Sequence, residues 1–212
     1  MPQLPSLEIV VATGNRHKFS ELVELFDGDG VRWRSSAEFP GMPPVRENGR
    51  TFAANAIKKA KATARFTGMI ALADDSGIEV DALKGAPGIR SARFAGIHGD
   101  DAANNRKLLQ SLEGLPRSRR TARYRCVLAL AAPEWVIGTV EAVWAGVIAE
   151  REAGDGGFGY DPLFFLPKYG KTVAQLPREL KQRLSHRAKA ARRLRPLLRQ
   201  LAACAIAVTG RG

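Results

Sequence analysis

Apolar and polar positions along this chain change period several times, and each change marks an element. Residues 7–12, Leu-Glu-Ile-Val-Val-Ala, are a short apolar run that predicts a buried strand ending at Thr13-Gly14-Asn15. Over residues 18–26, Phe19, Leu22, Val23 and Phe26 fall on one stripe, which predicts a helix. Proline and glycine crowd residues 40–49, a loop, after which Thr51 can N-cap a second helix reaching residue 65. Residues 70–73 read as a short strand that ends in an acidic turn, Asp74-Asp75-Ser76-Gly77. A loop at residues 84–88 and a helix over 100–112 follow. Two longer β-rich runs, 121–131 and 135–148, flank a turn at Pro133-Glu134 and predict a hairpin of long strands. Beyond them come a glycine-rich loop at 154–161, a short strand at Leu163-Phe164-Phe165, and a helical C-terminus. In that last segment Leu180, Leu184, Ala188, Ala191, Leu194, Leu198 and Leu201 share one helical face. Arg192, Arg193, Arg195 and Arg199 then read as solvated charge on the other faces. No repeat or low-complexity linker divides the chain, so the expectation is a single α/β domain over residues 1–212 with a mixed sheet.

Composition narrows the class. Hydrophobic residues make up 45% and charged residues 25%, the balance of a globular protein. Residues 1–12 lack the basic start of a signal peptide, and the apolar stretch 201–208 is too short to span a bilayer, so a cytoplasmic protein with no membrane partner is expected. Cys126 and Cys204 have no metal-ligand spacing and read as two reduced core thiols. The net charge of +12 favours a polyanionic partner: nucleic acid, a membrane surface or a phosphorylated ligand.

Four segments carry candidate chemistry. Thr13-Gly14-Asn15-Arg16-His17-Lys18 passes from a strand end into a helix, where unpaired backbone N–H groups and the helix dipole favour an anion. Lys18 adds a full charge, although the segment lacks the second glycine and the Gly-Lys-Ser/Thr of a Walker A loop, and a plain strand-to-helix turn stays open. Asp74 and Asp75 are adjacent carboxylates whose repulsion a cation can offset. Mg²⁺ takes one or two carboxylates plus phosphate and water, and one carboxylate can also accept a proton from an attacking water. A plain Asx turn is the alternative. Gly154, Gly156 and Gly159 match a dinucleotide fingerprint by spacing, but Asp161-Pro162 and an apolar run follow where a helix is required. The loop reads instead as a rim on which Phe158 or Tyr160 stacks against a base, or as a tight turn with core aromatics. Lys181 lies just ahead of Ser185-His186-Arg187, which open the last helix and could donate to a purine carbonyl.

Taken in order, these segments resemble the inosine triphosphate pyrophosphatase family, in particular its bacterial dITP/XTP pyrophosphatases. The residues that carry the resemblance are Thr13-Gly14-Asn15 with Lys18, Thr51-Phe52 with Asn55-Ala56, Lys59-Ala60, Ala73-Asp74-Asp75-Ser76-Gly77, Gly85-Ala86-Pro87-Gly88 with Ser91-Ala92-Arg93, Gly157-Phe158-Gly159-Tyr160-Asp161-Pro162, and Ser185-His186-Arg187. The resemblance implies an elongated mixed sheet flanked by helices, two lobes with a central substrate cleft, and a homodimer. It implies hydrolysis of a purine nucleoside triphosphate between the α- and β-phosphates with Mg²⁺, which keeps non-standard purines out of DNA and RNA. By position Asp75 would activate water and touch the metal, with Glu47 and Asp74 as further metal carboxylates. Thr13, Gly14, Asn15, Arg16, His17, Lys18 and Lys59 would hold the triphosphate, and Ser76 the nucleotide. Phe158, Gly159, Tyr160, Asp161, Lys181, His186 and Arg187 would hold the base. Two positions depart from the family: Ala54 stands where a Glu is frequent, and Lys84 where a Gly is common. The rivals are a Maf-like pyrophosphatase of related fold and a nucleic-acid-binding module. The second gives no reason for the paired aspartates.

Overall fold

The computed structural model describes residues 7–209, with side chains described up to residue 205. Residues 1–6, on which part of the signal-peptide reading rests, lie outside that range, as do the side chains of 206–208 in the apolar C-terminal stretch. The helices are α1 (Arg16–Leu25), α2 (Phe52–Thr67), α3 (Asp101–Ser111), α4 (Arg178–Leu184) and α5 (His186–Thr209). The strands are β1 (Leu7–Val11), β2 (Val31–Ser35), β3 (Ile70–Val80), β4 (Thr121–Ala131), β5 (Val136–Ile148), β6 (Phe164–Leu166) and β7 (Lys171–Thr172). They form one mixed sheet in the order β2-β1-β3-β4-β5-β6-β7. β1 runs parallel to β2 and to β3, whereas β6 is antiparallel to β5 and β7. Among the described residues no helix is long and apolar enough to cross a membrane.

Several sequence expectations change. β2 was not anticipated: Val-Arg-Trp-Arg-Ser carries two arginines, and both reach across to Glu8 on β1, Arg32 at 3.2 Å and Arg34 at 3.7 Å. Asp74-Asp75-Ser76-Gly77 is not a turn but the middle of β3, a strand buried along most of its length. The apolar residues on either side, Ala71 to Ala73 and Ile78 with Val80, decide this against the turn-like composition. Gly77 serves packing, because a Cβ there would lie 2.4 Å from Ser91 Oγ and 2.6 Å from the Gly88 carbonyl. The C-terminal segment is two helices, not one, since Ser185 adopts an extended ψ between α4 and α5. Of the two thiols, Cys126 is buried but Cys204 is exposed.

The chain divides into two compact units, residues 1–75, 127–141 and 187–212 in the first and residues 76–126 and 142–186 in the second. In the first, Val10, Ala64 and Ala71 pack with Phe39 and Met69, and the Phe26 and Trp33 rings stack 5.2 Å apart. In the second, Ile78, Leu108, Tyr124, Trp144, Leu163 and Phe164 form the centre of a larger apolar cluster.

The arginines of α5 are not solvated charge in general. Arg195 Nε donates to Asp29 Oδ2 at 2.7 Å and Arg199 Nε to Asp29 Oδ1 at 3.0 Å, while Arg193 donates to the Glu141 carbonyl. Asp29 is almost fully buried, so its carboxylate depends on these cations. Asp29→Ala is expected to lower the unfolding free energy in urea by about 2 kcal/mol. Arg199→Ala, at a side chain 65% exposed, is expected to cost under about 1 kcal/mol. Equal losses would contradict the clamp.

Candidate active site

In the first unit, α2 sets the position of one lysine. Thr51 caps the helix by accepting the Ala54 N–H at 3.1 Å, and Lys59 follows two turns later. Its ammonium donates to the Asp74 carbonyl at 2.7 Å and to Asp75 Oδ1 at 3.0 Å, and lies 3.4 Å from Glu47 Oε2. Three consecutive residues before the helix are tied to it: Glu47 by Lys59, Asn48 by Lys58 (2.7 Å) and the Gly49 N–H by Asn55 Oδ1 (2.8 Å). Gly49 is required there, because a Cβ would stand 2.6 Å from Asn55 Oδ1. Ala54, where a Glu was anticipated, is exposed on the same helix.

Because successive side chains of a strand point to opposite faces, Asp74 and Asp75 reach different partners. Asp74 is fully buried, with Oδ2 accepting from Arg187 Nε at 3.0 Å and lying 3.3 Å from Lys18 Nζ. Arg187 in turn donates through Nη1 to Glu21 Oε2 at 2.6 Å. Lys18 and Glu21 are three residues apart on α1 and share a face. The start of α1 is held by Asn15 Oδ1, which accepts the Lys18 N–H at 3.1 Å, and by Thr13 Oγ1, which accepts the Asn15 N–H at 3.1 Å. Gly14, Asn15, Arg16 and His17 are exposed there, beside an N-terminal turn suited to an anion.

Ion pairs in this cluster join Glu21, Glu47, Asp74 and Asp75 to Lys18, Lys59 and Arg187. Burial works against the Lys59 ammonium, yet Asp75, Glu47 and Asp74 together hold its pKa above the usual lysine value. For Asp75 burial wins: its carboxyl is pushed up to about 6 despite Lys59, with Glu47 and Asp74 adding repulsion. Asp75 Oδ2 is buried and has no hydrogen-bond partner. An orphaned hard oxygen in an acid-rich pocket fits a divalent cation. Mg²⁺ is such a cation: it takes few carboxylates and completes its shell with phosphate and water. Asp75 and Glu47 could hold such an ion, and Asp74 is already engaged by two cations.

The second unit gathers the other candidates. Asp161 is buried and braces the glycine-rich loop: Oδ2 accepts the Phe158 N–H at 3.0 Å and Lys181 Nζ at 2.7 Å, and Oδ1 accepts Tyr124 Oη at 3.1 Å. Lys181 Nζ also sits 4.8 Å from the centre of the Phe158 ring. His186 stacks on Tyr124 with centroids 4.6 Å apart and planes 11° from parallel. Tyr160 belongs to the apolar core, its hydroxyl donating to the Ser91 carbonyl at 2.8 Å, and burial pushes its pKa above the usual tyrosine value. Of the two loop aromatics, Phe158 is thus the half-exposed one. Ser76, half-buried in β3, follows Asp75 directly, and His186 directly precedes Arg187.

Lys18, Glu47, Lys59, Asp74, Asp75 and Arg187 thus converge in the first unit, and Phe158, Asp161, Lys181 and His186 lie together in the second. Sequence reasoning missed Glu21, although its spacing from Lys18 on one helical face was a readable signal. It also missed Asn55 as the anchor of the Glu47 loop, and Tyr124, for which no local pattern exists.

Comparison with known proteins places this arrangement among relatives. The model of the Ham1 family matches residues 9–197. The dITP/XTP pyrophosphatase of Desulforamulus reducens is 55% identical over 92% of this chain and 97% of its own length. That of Geobacillus kaustophilus is 51% identical over 88% and 92%. Among solved structures, a HAM1 protein from Coxiella burnetii superposes with a TM-score of 0.83 at 40% identity, covering 92% of this chain and 99% of that one. A nucleoside-triphosphatase, or dITP/XTP pyrophosphatase, from Mycobacterium abscessus gives a TM-score of 0.73 at 41% identity, covering 91% and 100%.

The raised Asp75 pKa has a definite sign in stability. The fold favours the neutral acid, so its contribution is complete below the unfolded value near 3.8 and is lost as pH rises through about 6. At pH 8 without divalent ions, Asp75→Asn is therefore expected to be more stable than the wild type, by about 2 kcal/mol. Adding Mg²⁺ is expected to raise the melting temperature of the wild type and not of the variant. A variant melting below the wild type at pH 8 would refute the uncompensated charge.

Proposed function

The chain belongs to the Ham1 family, and from that premise we infer that it is a nucleoside triphosphate pyrophosphatase, a hydrolase that converts dITP, ITP and XTP to the monophosphate and pyrophosphate. The observation that carries the reading is the buried, unpartnered Asp75 Oδ2 within a lysine-bearing acidic cluster. The activity keeps non-standard purines out of DNA and RNA. We assign the enzyme to the cytoplasm, as the sequence reading expected, and expect a homodimer from the family resemblance.

Lys18, Lys59 and the exposed first turn of α1, with Thr13, Gly14, Asn15, Arg16 and His17, bind the triphosphate and neutralise it. Glu47 and Asp75, backed by Asp74, would hold Mg²⁺, which when bound withdraws charge from the phosphate oxygens. Asp75 takes a proton from a water whose oxygen attacks the α-phosphorus. The bond from that phosphorus to the bridging oxygen breaks, and pyrophosphate leaves with the electron pair. Lys59 keeps Asp75 aligned, and Asp74 keeps Lys18 and Arg187 aligned. Positioning and electrostatics supply most of the rate, as in other phosphoryl chemistry.

Base choice has a physical form. Hypoxanthine and xanthine present a carbonyl at ring position 6, where adenine presents an amino donor. A donor from His186 or Arg187 pairs with the carbonyl, while Phe158 stacks on the ring and Lys181, Asp161 and Gly159 keep that loop in place. Adenine would leave the donor unpaired, at a cost of about 1–3 kcal/mol. Ser76 contacts the nucleotide beside Asp75.

A panel of ITP, dITP, XTP, ATP and GTP, assayed for pyrophosphate release with and without Mg²⁺, tests the reading. Hydrolysis is expected only with the ion and chiefly of the first three. Asp75→Asn is expected to lower kcat by about 100- to 10,000-fold while nucleotide affinity stays close to that of the wild type. Near-normal turnover would remove Asp75 from the role, and orthophosphate as the sole product would overturn the reaction.

A further inference from the structure

Two side chains of α3 hold a single residue of the glycine-rich loop from both sides. Asp101 Oδ2 accepts the Gly159 N–H at 2.7 Å, and Asn105 Nδ2 donates to the Gly159 carbonyl at 3.2 Å. The two are four residues apart in α3 and share a face of that helix. Asp101 is exposed, whereas Asn105 is buried, as a committed positional contact would be. Gly159 has φ +64°, a left-handed conformation in which glycine is unstrained and other residues are not. On either side of it, the Phe158 N–H is tied to Asp161 and the Tyr160 hydroxyl to the Ser91 carbonyl. The Phe158 ring thus projects from a loop held through the backbone at Phe158 and Gly159 and through the side chain at Tyr160.

Resting on the reading of this loop as the base-binding segment, we propose that Asp101 and Asn105 are positioning residues for base recognition. By clamping Gly159 they hold the Phe158 ring where it stacks on a purine, and so set KM and discrimination among bases without touching the substrate. A ring that must be ordered at the moment of binding spends part of the stacking energy on that ordering; a clamped one does not. The clamp acts on the base alone, since the phosphate-binding lysines stand on other elements, Lys18 on α1 and Lys59 on α2.

Steady-state kinetics with ITP and GTP, paired with inhibition by inorganic tripolyphosphate, which has no base, tests this. Asp101→Ala is expected to raise KM for ITP about tenfold, the size of one lost charge-assisted hydrogen bond, with kcat little changed and the preference for ITP over GTP reduced. Tripolyphosphate should inhibit the variant as it inhibits the wild type. Asp101→Asn, which keeps an acceptor oxygen but not the charge, should reverse part of the rise in KM; behaviour identical to Asp101→Ala would mark a helix-dipole charge effect and overturn the clamp. Asn105→Asp, which removes the donor, should act in the same direction as Asp101→Ala. In the wild type, the Gly159 amide should resist hydrogen exchange, and rapid exchange there would overturn the clamp without recourse to any variant. An unchanged KM and base preference in a folded Asp101→Ala would overturn it too, as would tripolyphosphate inhibition weakened as much as ITP binding. Phe158→Ala separates the two layers. If it leaves KM and preference unaltered, the base-loop reading itself fails; if it alters both while Asp101→Ala does not, only the clamp fails.

Discussion

The Lys59 ammonium is the contact around which the first unit's polar residues are arranged. It reaches the Asp75 carboxylate, the Asp74 carbonyl and Glu47 at once, and these come from β3 and from the loop before α2. That ammonium offsets only part of what burial costs the Asp75 carboxylate, and this deficit, with repulsion from Glu47 and Asp74, pushes its carboxyl up to about 6. Such a deficit is unfavourable for the fold alone. It is useful when the missing charge is supplied by a divalent ion arriving with a polyanionic substrate, which gives the fold a reason to keep an acid where a neutral side chain would be more stable.

Continuity of β3 makes this arrangement possible. Had Asp74 and Asp75 stood in a turn, their carboxylates could have faced one another and water. In a strand they diverge, one toward Lys18 and Arg187, the other toward Lys59. The same constraint explains why adjacent residues stand in unlike surroundings: Asp74 meets cations from α1 and α5, and Asp75 is left with one buried oxygen that has no hydrogen-bond partner. A similar economy appears in the second unit, where Asp161 spends its oxygens on Tyr124, Lys181 and the Phe158 N–H.

Much of the fold was legible because its periods are long. β4 was read end to end, and the cap at Thr51 follows from side-chain chemistry alone. β2 was illegible because Arg32 and Arg34 interrupt its apolar pattern, and at the edge of the sheet only its partner β1 shows that it is a strand. The break at Ser185 was hidden because apolar spacing continues across it from Leu184 to Ala188. The charge of +12 invited a nucleic-acid reading, but Arg187, Arg195 and Arg199 are directed inward to Asp74, Glu21 and Asp29. Candidate site residues that lie within recognisable motifs were named from sequence. Those that act through distant contacts, Tyr124, Asp101 and Asn105, were not, because pairing between remote segments leaves no local pattern.

The most direct measurement of the central claim is the titration of the Asp75 side-chain carboxyl by carbon-13 NMR in metal-free protein, repeated with a saturating divalent ion. The expected midpoint is about 6 without the ion and well below that with it. A midpoint near the ordinary aspartate value, indifferent to the ion, would contradict the claim that this acid is left short of positive charge.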